Sequence, residues 1–347
     1  MRKIIKGILL VIAVFTLIFL CYNESKYKSA EETFISMDTV MSINAESKDI
    51  GIKLKNLKSI IVDIDSDLSR TNKNSLIYKL NHSVRHSAGF DEDTVKLIEE
   101  AEYINDITDG LFDISIGPVM DAWGFTADTQ RVPEEAALEN ALSKVGMQHI
   151  HLKNNILSLD SGCEIDLGGI AKGYALEKSK DFFLEEGIRR GIVYMGGDIL
   201  AYGSKSFGKP WIIAIQEPET GKSGSLGTLS VIDSYILTSG NYERCFTEDG
   251  VRYHHIIDPR TGYPADSGLA SVTIVSGINE AYGPMCDALS TALFIMGKDK
   301  AIEFWQNHSE LFQMILVSDN NEVFISKGLQ NRFTPSENSI YTYEIIG

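Results

Sequence analysis

The order of strand and helix signals is the feature of this sequence that most limits its fold. Helical signals dominate up to residue 186, with predicted helices at 49–68, 75–80, 91–109, 133–145 and 171–186. Five β-type segments then follow one another with no helical signal between them: 191–195, 199–202, 211–216, 227–232 and 235–238. A last long helix is predicted over Asn279–Met296. Separate runs of strands and helices predict an α+β fold rather than a doubly wound parallel sheet.

The amino terminus differs in character from the rest of the chain. Arg2, Lys3 and Lys6 precede an apolar run over Ile8–Tyr22, and a polar stretch covers Asn23–Glu32. A basic start, an apolar run and a polar exit are typical of an export signal or membrane anchor. We therefore expect a signal peptide or anchor over 1–22, a polar linker over 23–32 and one folded domain over 33–347.

The apolar run is shorter than the ~20 residues that a spanning helix usually needs. Cys21 suggests a lipidated cysteine, although Leu20 is bulky where a small residue normally precedes one. Cleavage, lipidation and anchoring thus stay open. The basic start predicts that the body lies outside the cytoplasm, on the outer face of the cell membrane or secreted.

The charge of the chain limits its partners. There are 48 acidic and 32 basic residues, which gives a formal net charge of −16. Binding to nucleic acid depends on clustered Lys and Arg, and the body contains no basic stripe. We expect no nucleic-acid partner.

The segment Asp166-Leu-Gly-Gly-Ile-Ala-Lys-Gly-Tyr-Ala175 lies where a short β-type stretch meets a predicted helix. Gly168 and Gly169 allow a close approach of the backbone to a ligand, and free N–H groups at a helix start favour anions. Lys172 adds a cation, and Asp166 can accept hydrogen bonds. The alternative is a tight turn followed by a surface lysine. The spacing matches neither a Walker A loop nor a dinucleotide fingerprint.

Two later segments carry further candidate groups. Asp287 and Thr291 are four residues apart, so they share one helix face, and their oxygens suit a hard cation such as Mg²⁺. The alternative is a local hydrogen bond on a buried helix, but apolar neighbours would leave Asp287 a buried charge without a partner.

His254 and His255 are consecutive on a predicted strand, so only one of them can face a cleft. A histidine there can exchange a proton near neutral pH.

Small polar and aromatic groups complete the candidates. Ser239 and Gly240 lie in Thr238-Ser-Gly-Asn-Tyr-Glu-Arg244 and suit contact with a phosphate or a ring. The segment Ala122-Trp123-Gly124 suits either a flat ring ligand or a hydrophobic plug.

Eight motifs, in this order, resemble the ApbE family of FAD:protein FMN transferases from Met37 to roughly Leu316. They are Met37-x-Thr39, Asp109-Gly-x-Phe-Asp113, Trp123-Gly-Phe125, Asp166-Leu-Gly-Gly-Ile-Ala-Lys-Gly173, Gly196-Gly-Asp198, Thr238-Ser-Gly-x-Tyr242, His255-Ile-Ile-Asp-Pro-x-Thr-Gly262 and Asp287-x-x-x-Thr291. The resemblance implies a single T-fold-like body that binds FAD and Mg²⁺. It also implies transfer of FMN to a Ser or Thr hydroxyl of another protein, with release of AMP.

The resemblance also implies roles for individual residues. Asp287 and Thr291 would bind the metal by their side chains, and Gly169 by its backbone carbonyl. His255 would be the proton acceptor. The implied FAD contacts are Met37, Ala122, Trp123, Gly124, Asp166, Lys172, Ser239, Gly240 and Ile257. The acceptor would be an exported redox protein.

Two departures from the family pattern affect these expectations. Ser290 stands where some relatives have a second acid, so one or two metal ions are both compatible with the sequence. Arg70 and Thr71 stand where many relatives have an aromatic residue, so one ring contact is absent.

Two other functions fit the same groups, namely hydrolysis of FAD to FMN and AMP, and flavin storage or carriage without catalysis. A carrier would not need a proton acceptor such as His255.

Overall fold

A computed structural model describes residues 27–126, 129–218, 224–337 and 339–347. The helices are α1 Ile50–Leu68, α2 Leu76–His82, α3 Glu92–Ile107, α4 Gly117–Trp123, α5 Glu135–Leu142, α6 Ala171–Glu185, α7 Gly283–Met296 and α8 Lys298–Asn307. Within these ranges, no helix is long and apolar enough to cross a membrane. The predicted segment 1–22 and Cys21 lie outside the described residues.

Nine of the strands form one large mixed sheet in the order β1-β2-β6-β7-β10-β13-β14-β15-β17. Their bounds are β1 Lys28–Ser36, β2 Thr39–Ser47, β6 Arg190–Met195, β7 Asp198–Tyr202, β10 Ser234–Gly240, β13 Leu269–Gly277, β14 Gln313–Ser318, β15 Glu322–Ser326 and β17 Thr342–Ile346. All pairs are antiparallel except β15–β17. The α+β prediction is therefore confirmed.

Three smaller sheets complete the β-structure of the described residues. β8 (Trp211–Gln216), β9 (Ser225–Val231) and β16 (Phe333–Pro335) form one, and β3 (Ser87–Gly89), β4 (Ile150–Lys153) and β5 (Ile156–Leu159) form another. β11 (Cys245–Glu248) and β12 (Val251–His254) form a hairpin.

The large sheet has an apolar core on each face. α1, α6 and α7 cover one face, and the main core lies between them and the sheet. A second core lies between the sheet and β8–β9–β16. β13 is central and buried along nearly its whole length, and helix α7 packs on it with almost every side chain buried. A helix that is apolar all round fits such a buried position.

Helices α6 and α7 approach each other unusually closely at Gly173 and Gly283. A Cβ atom on Gly173 would lie 2.2 Å from the carbonyl oxygen of Gly283, and one on Gly283 would lie equally close to that of Gly173. Real Cβ atoms do not make contacts that short, so both positions need glycine. The contact brings the first turn of α6 against Asp287 of α7, whose Oδ2 accepts a hydrogen bond from the Gly173 N–H at 2.7 Å.

The sequence over Phe34–Asn44 predicts one strand at the start of the folded body, and this prediction is wrong. The chain instead forms the β1–β2 hairpin, with Met37 and Asp38 in its turn at φ values of 48° and 57°. Asp65 holds this turn, because its Oδ2 accepts hydrogen bonds from the Met37 N–H and the Ser36 hydroxyl, both at 2.8 Å. β1 already begins at Lys28, so residues 28–32 belong to the sheet rather than to the predicted linker.

The region from 117 to 145 also differs from the prediction. Helix α4 was not predicted, because its sequence begins with Gly117-Pro118 and reads as a loop. Pro118 is compatible with the helix because it occupies the first turn, where its missing N–H is not needed. The helix predicted over 133–145 is shorter, since α5 covers Glu135–Leu142 and Pro133 precedes its N-cap residue Glu134.

Candidate active site

A cleft of about 890 Å³ lies where the β1–β2 turn, the start of α6, the end of β10 and helix α7 meet. This volume is in the range typical of ligand and cofactor sites. Ten of the predicted site residues line it, contributed by five separate stretches of the chain: Met37, Asp166, Gly169, Lys172, Ser239, Gly240, His255, Ile257, Asp287 and Thr291. The fold thus brings together residues up to 254 positions apart in sequence.

The glycine segment forms a tight turn into helix α6. Asp166 stabilises the turn, because its Oδ1 accepts a hydrogen bond from the Gly168 N–H at 2.8 Å. A Cβ on Gly169 would lie 3.1 Å from the ring of Phe112 and 3.7 Å from Thr291 Oγ1. Gly169 therefore lies beside the metal-ligating threonine that the sequence predicts.

Asp287 is the buried carboxylate of the cleft, with 5% of its surface exposed. Burial and the nearby charge of Asp198 raise the pKa of Asp287 to about 7. A raised carboxylate pKa means that the anionic form lacks sufficient compensation from its surroundings. A cation bound beside Asp287 would provide that compensation.

The donors around Asp287 fit a magnesium ion. Asp287 would supply a carboxylate and Thr291 a hydroxyl, and the family resemblance implies the Gly169 backbone carbonyl as a further oxygen. Mg²⁺ prefers oxygen ligands with one or two carboxylates. Thr291 Oγ1 lies 3.1 Å from Ser239 Oγ, so a second hydroxyl borders the same place. Within the described ranges, no cluster of three His, Cys, Asp or Glu side chains could hold a metal. The ligand set would therefore depend on hydroxyl and backbone oxygens.

Lys172 pairs with Asp198, whose side chain is 1% exposed. Asp198 is held in turn by the Thr238 N–H, which donates to its Oδ1 at 2.8 Å. Burial alone would lower the pKa of Lys172, but Asp198 and Asp287 together raise it above its ordinary value. Lys172 is thus a fixed positive charge. We call Gly169, Lys172, Asp198, Asp287 and Thr291 the buried corner.

Of the two histidines, only His255 lines the cleft, in agreement with the expectation that one of them would. Strand β12 ends at His254, and His255 follows it in a bend. The Nε2 atom of His254 lies 3.1 Å from the carbonyl oxygen of Ala265, and its ring packs edge-on against Phe294. In His255, Nδ1 is buried and has no hydrogen-bond partner among the described residues. Burial and the charge of Arg244 lower the pKa of His255 to about 3. The imidazole is therefore neutral but a weak base in the ligand-free cleft. Negative charge brought in by a ligand would raise its pKa and so favour acceptance of a proton.

Trp123 does not reach the cleft, contrary to the prediction of a ring contact with FAD. The indole is fully buried, its Nε1 donates to the Gly262 carbonyl at 2.7 Å, and it packs against Phe125, Tyr253 and Tyr263. Its neighbours Ala122 and Gly124 also lie outside the cleft lining. The cluster is the hydrophobic plug that the sequence left open, and only Phe125 of these aromatic residues lines the cleft.

Arg70 has a role that the sequence did not reveal. Its buried guanidinium donates to Asp121 at 2.7 and 3.1 Å and to Glu164 at 2.8 Å, and Nε lies 3.7 Å from Asp166. Burial alone would lower the pKa of Arg70, but these carboxylates raise it. Arg70 thus positions the turn that carries Asp166. No local pattern could have indicated this, because the partners are 51 to 96 residues away.

Known proteins with similar sequences and folds identify the family of this chain. The model of the ApbE family matches residues 37–316. A curated FAD:protein FMN transferase of Haemophilus influenzae is 31% identical, over 97% of this chain and all of the relative, and one of Vibrio cholerae is 29% identical over 84% and 90%. The crystal structure of the ApbE protein of Thermotoga maritima superimposes with a TM-score of 0.82 at 32% identity, covering 88% of this chain and all of that one. The flavin transferase ApbE of Vibrio cholerae gives a TM-score of 0.77 at 25% identity, covering 88% and 99%. The chain therefore belongs to the ApbE family.

Proposed function

We propose that this protein is a Mg²⁺-dependent FAD:protein FMN transferase. It moves the FMN part of FAD to a Ser or Thr hydroxyl of another protein and releases AMP. The observation that carries the proposal is the pairing, in one cleft, of a neutral histidine with an unpartnered Nδ1 and a buried corner suited to a cation. The curated relatives carry the same activity in their names.

In the proposed reaction, the acceptor oxygen attacks the phosphorus atom that bears the riboflavin chain. The bond from this phosphorus to the bridging oxygen breaks, and AMP leaves with that oxygen. His255 takes the proton of the attacking hydroxyl, which its neutral state permits. A phosphoester between FMN and the acceptor protein is the product.

The buried corner would lower the barrier electrostatically. Asp287, Thr291 and the Gly169 carbonyl would hold Mg²⁺, which neutralises charge on the diphosphate when bound. Lys172 adds a fixed positive charge where negative charge grows on the leaving phosphate. Its position is set before the reaction by the contact with Asp198, so no rearrangement is needed.

One experiment separates this proposal from FAD hydrolysis and from flavin carriage. The full chain is incubated with FAD and Mg²⁺, with and without an exported redox protein as acceptor. Flavin fluorescence that stays with the denatured acceptor supports the transferase. Free FMN and AMP formed equally in both samples would establish a hydrolase instead, and intact FAD would establish a carrier.

We also propose that the body works outside the cytoplasm, held at the membrane through residues 1–22. The basic start followed by an apolar run supports this. The test is protease treatment of intact spheroplasts that express the chain with a carboxyl-terminal tag. Digestion of the tag is expected, and complete protection until lysis would contradict this location.

A further inference from the structure

The basic residues of the cleft differ in how fully their charge is neutralised. Among the residues that the structure describes, Arg70, Lys172 and Arg244 are the cleft-lining side chains with a permanent positive charge. Arg70 is surrounded by Asp121, Glu164 and Asp166, and Lys172 by Asp198 and the nearby Asp287. Each is therefore held by at least one largely buried carboxylate, namely Asp166 at 13% exposure for Arg70 and Asp198 at 1% for Lys172. Neither can turn toward a ligand without leaving a buried carboxylate unpaired, which is strongly unfavourable.

Arg244 is held only weakly. Its Nη2 lies 3.2 Å from Asp38 Oδ2, and the two side chains are 51% and 86% exposed. Exposed ion pairs of this kind contribute little, because water competes for both charges. Arg244 can therefore leave Asp38 for a stronger anionic partner at almost no loss of stability.

The backbone of Arg244 is fixed beside the proton acceptor. The His255 N–H donates to the Arg244 carbonyl at 3.0 Å, just beyond the β11–β12 hairpin. Its partner Asp38 belongs to the β1–β2 turn that Asp65 holds in place. The guanidinium of Arg244 thus extends from the segment beside His255 to the β1–β2 turn on the other side of the cleft. We call Arg244 and the Met37–Asp38 turn the rim.

The cleft is lined by more acidic than basic side chains, so an anionic ligand needs a basic group that is free to bind it. Six carboxylates line the cleft, from Asp38, Asp65, Asp113, Asp166, Glu243 and Asp287, against three basic residues. A diphosphate adds further negative charge, and a planar guanidinium binds phosphate oxygens in a bidentate manner. We propose that Arg244 binds the diphosphate of FAD, exchanging Asp38 for phosphate oxygens. This inference rests on the proposed function, since it takes FAD as the ligand.

The test compares two flavins that differ in phosphate. The full chain in detergent, with EDTA to prevent turnover, is titrated with FAD and separately with riboflavin, and binding is followed by flavin fluorescence. Arg244→Gln is expected to weaken FAD binding about 10- to 100-fold, as loss of a charge-assisted hydrogen bond does. Riboflavin binding should stay within about twofold. Arg244→Lys should restore part of the FAD affinity, because it keeps the charge but not the bidentate geometry.

Two further variants complete the test. Arg252→Gln is the matched control, since Arg252 lies on the same hairpin, is exposed and does not line the cleft. It should change neither affinity. Asp38→Asn frees Arg244 and should leave FAD binding equal or tighter.

Equal weakening of both flavins by Arg244→Gln would show a structural role and overturn the inference, as would unchanged FAD binding. Wild-type chain that binds neither flavin would overturn the proposed function as well. A phosphate-dependent defect without FMN transfer by the wild type would support the role of Arg244 and contradict the transferase alone.

Discussion

Two ion pairs border the same cleft and differ in burial. Lys172–Asp198 belongs to the buried corner, with side chains 22% and 1% exposed, whereas Arg244–Asp38 belongs to the rim and is 51% and 86% exposed. In the first, burial limits access of water to both charges, and the Thr238 N–H and Asp287 add to the same network, so the pair is fixed. In the second, water can replace either partner. The same chemistry thus gives a permanent charge in one place and an exchangeable charge in the other.

The largest expected effect comes from the buried corner. Asp287→Ala should reduce FMN transfer at least about 10³-fold, because a methyl group cannot replace an anionic metal ligand. Transfer is measured as covalent flavin on the acceptor across a series of Mg²⁺ concentrations. The melting temperature serves as control and should change little, since removal of a buried charge offsets loss of the hydrogen bond from the Gly173 N–H. Normal turnover in Mg²⁺ would show that the helix face of Asp287 and Thr291 holds no catalytic metal.

His255→Ala should slow transfer about 10²- to 10⁴-fold, which is the usual loss when a positioned general base is removed. FAD affinity should stay nearly normal, because the imidazole accepts a proton rather than binding the ligand. His254→Ala is the matched control and should be much milder in transfer, since that ring points away from the cleft. A larger transfer defect in His254→Ala than in His255→Ala would contradict the assignment.

The comparison of the two ion pairs can be tested directly by removing one carboxylate charge from each. Asp198→Asn should lower the free energy of unfolding by about 3 kcal/mol, because it leaves Lys172 without its buried partner. Asp38→Asn should change it by about 0.5 kcal/mol or less. Urea denaturation measures both. Similar losses in the two variants would contradict the distinction between a fixed and an exchangeable charge.

The helix contact behind the buried corner should be sensitive to a single methyl group. Gly173→Ala is expected to destabilise the protein by about 1–3 kcal/mol, because its Cβ would overlap the Gly283 backbone. Gly51→Ala, also in the first turn of a helix, is the control. No atom lies within 4 Å of its added Cβ, so a small gain of stability is expected. Thermal unfolding of both variants compares them, and a stable Gly173→Ala would disprove the close contact.

The smallest expected effect is on the pH dependence of the free energy of unfolding. Because the pKa of His255 is lowered from 6.5 to about 3, the unfolded chain binds a proton between these values and the folded chain does not. Stability therefore falls as pH decreases from about 6.5 toward 3. His255→Asn lacks this contribution. Between pH 7 and pH 5 its free energy of unfolding should therefore fall less than that of the wild type, by a difference of at most about 2 kcal/mol. Urea unfolding at both pH values tests this, and equal losses would contradict the lowered pKa.

The parts of the site that sequence could predict are those with local periodicity. Asp287 and Thr291 line the cleft together because residues four apart share a helix face. The alternation of a strand predicted that only one of His254 and His255 faces a cleft, and the family resemblance selected His255. Asp91, a good N-cap residue at the start of the helix predicted over 91–109, caps α3 and accepts from the Thr94 N–H at 2.7 Å.

The rest depended on contacts between distant segments. The Met37–Asp38 turn contains neither glycine nor proline, and only Asp65 on α1 explains its left-handed backbone. Whether Trp123 met a ligand or the core was undecidable until the fold supplied Gly262, Tyr253 and Tyr263 around it. Arg70 belongs to the same class, since its carboxylate partners come from two remote segments.

The contact between Gly173 and Gly283 also limits which substitutions the chain can tolerate at these two positions. When two large side chains meet, enlargement of one can be compensated by shortening the other. Here neither partner has a side chain, so a larger residue at one glycine cannot be compensated by a smaller residue at the other. Relief would require moving one helix, which would separate the Gly173 N–H from Asp287. Variation at these two positions is therefore coupled to the position of the Asp287 carboxylate, although neither glycine lines the cleft.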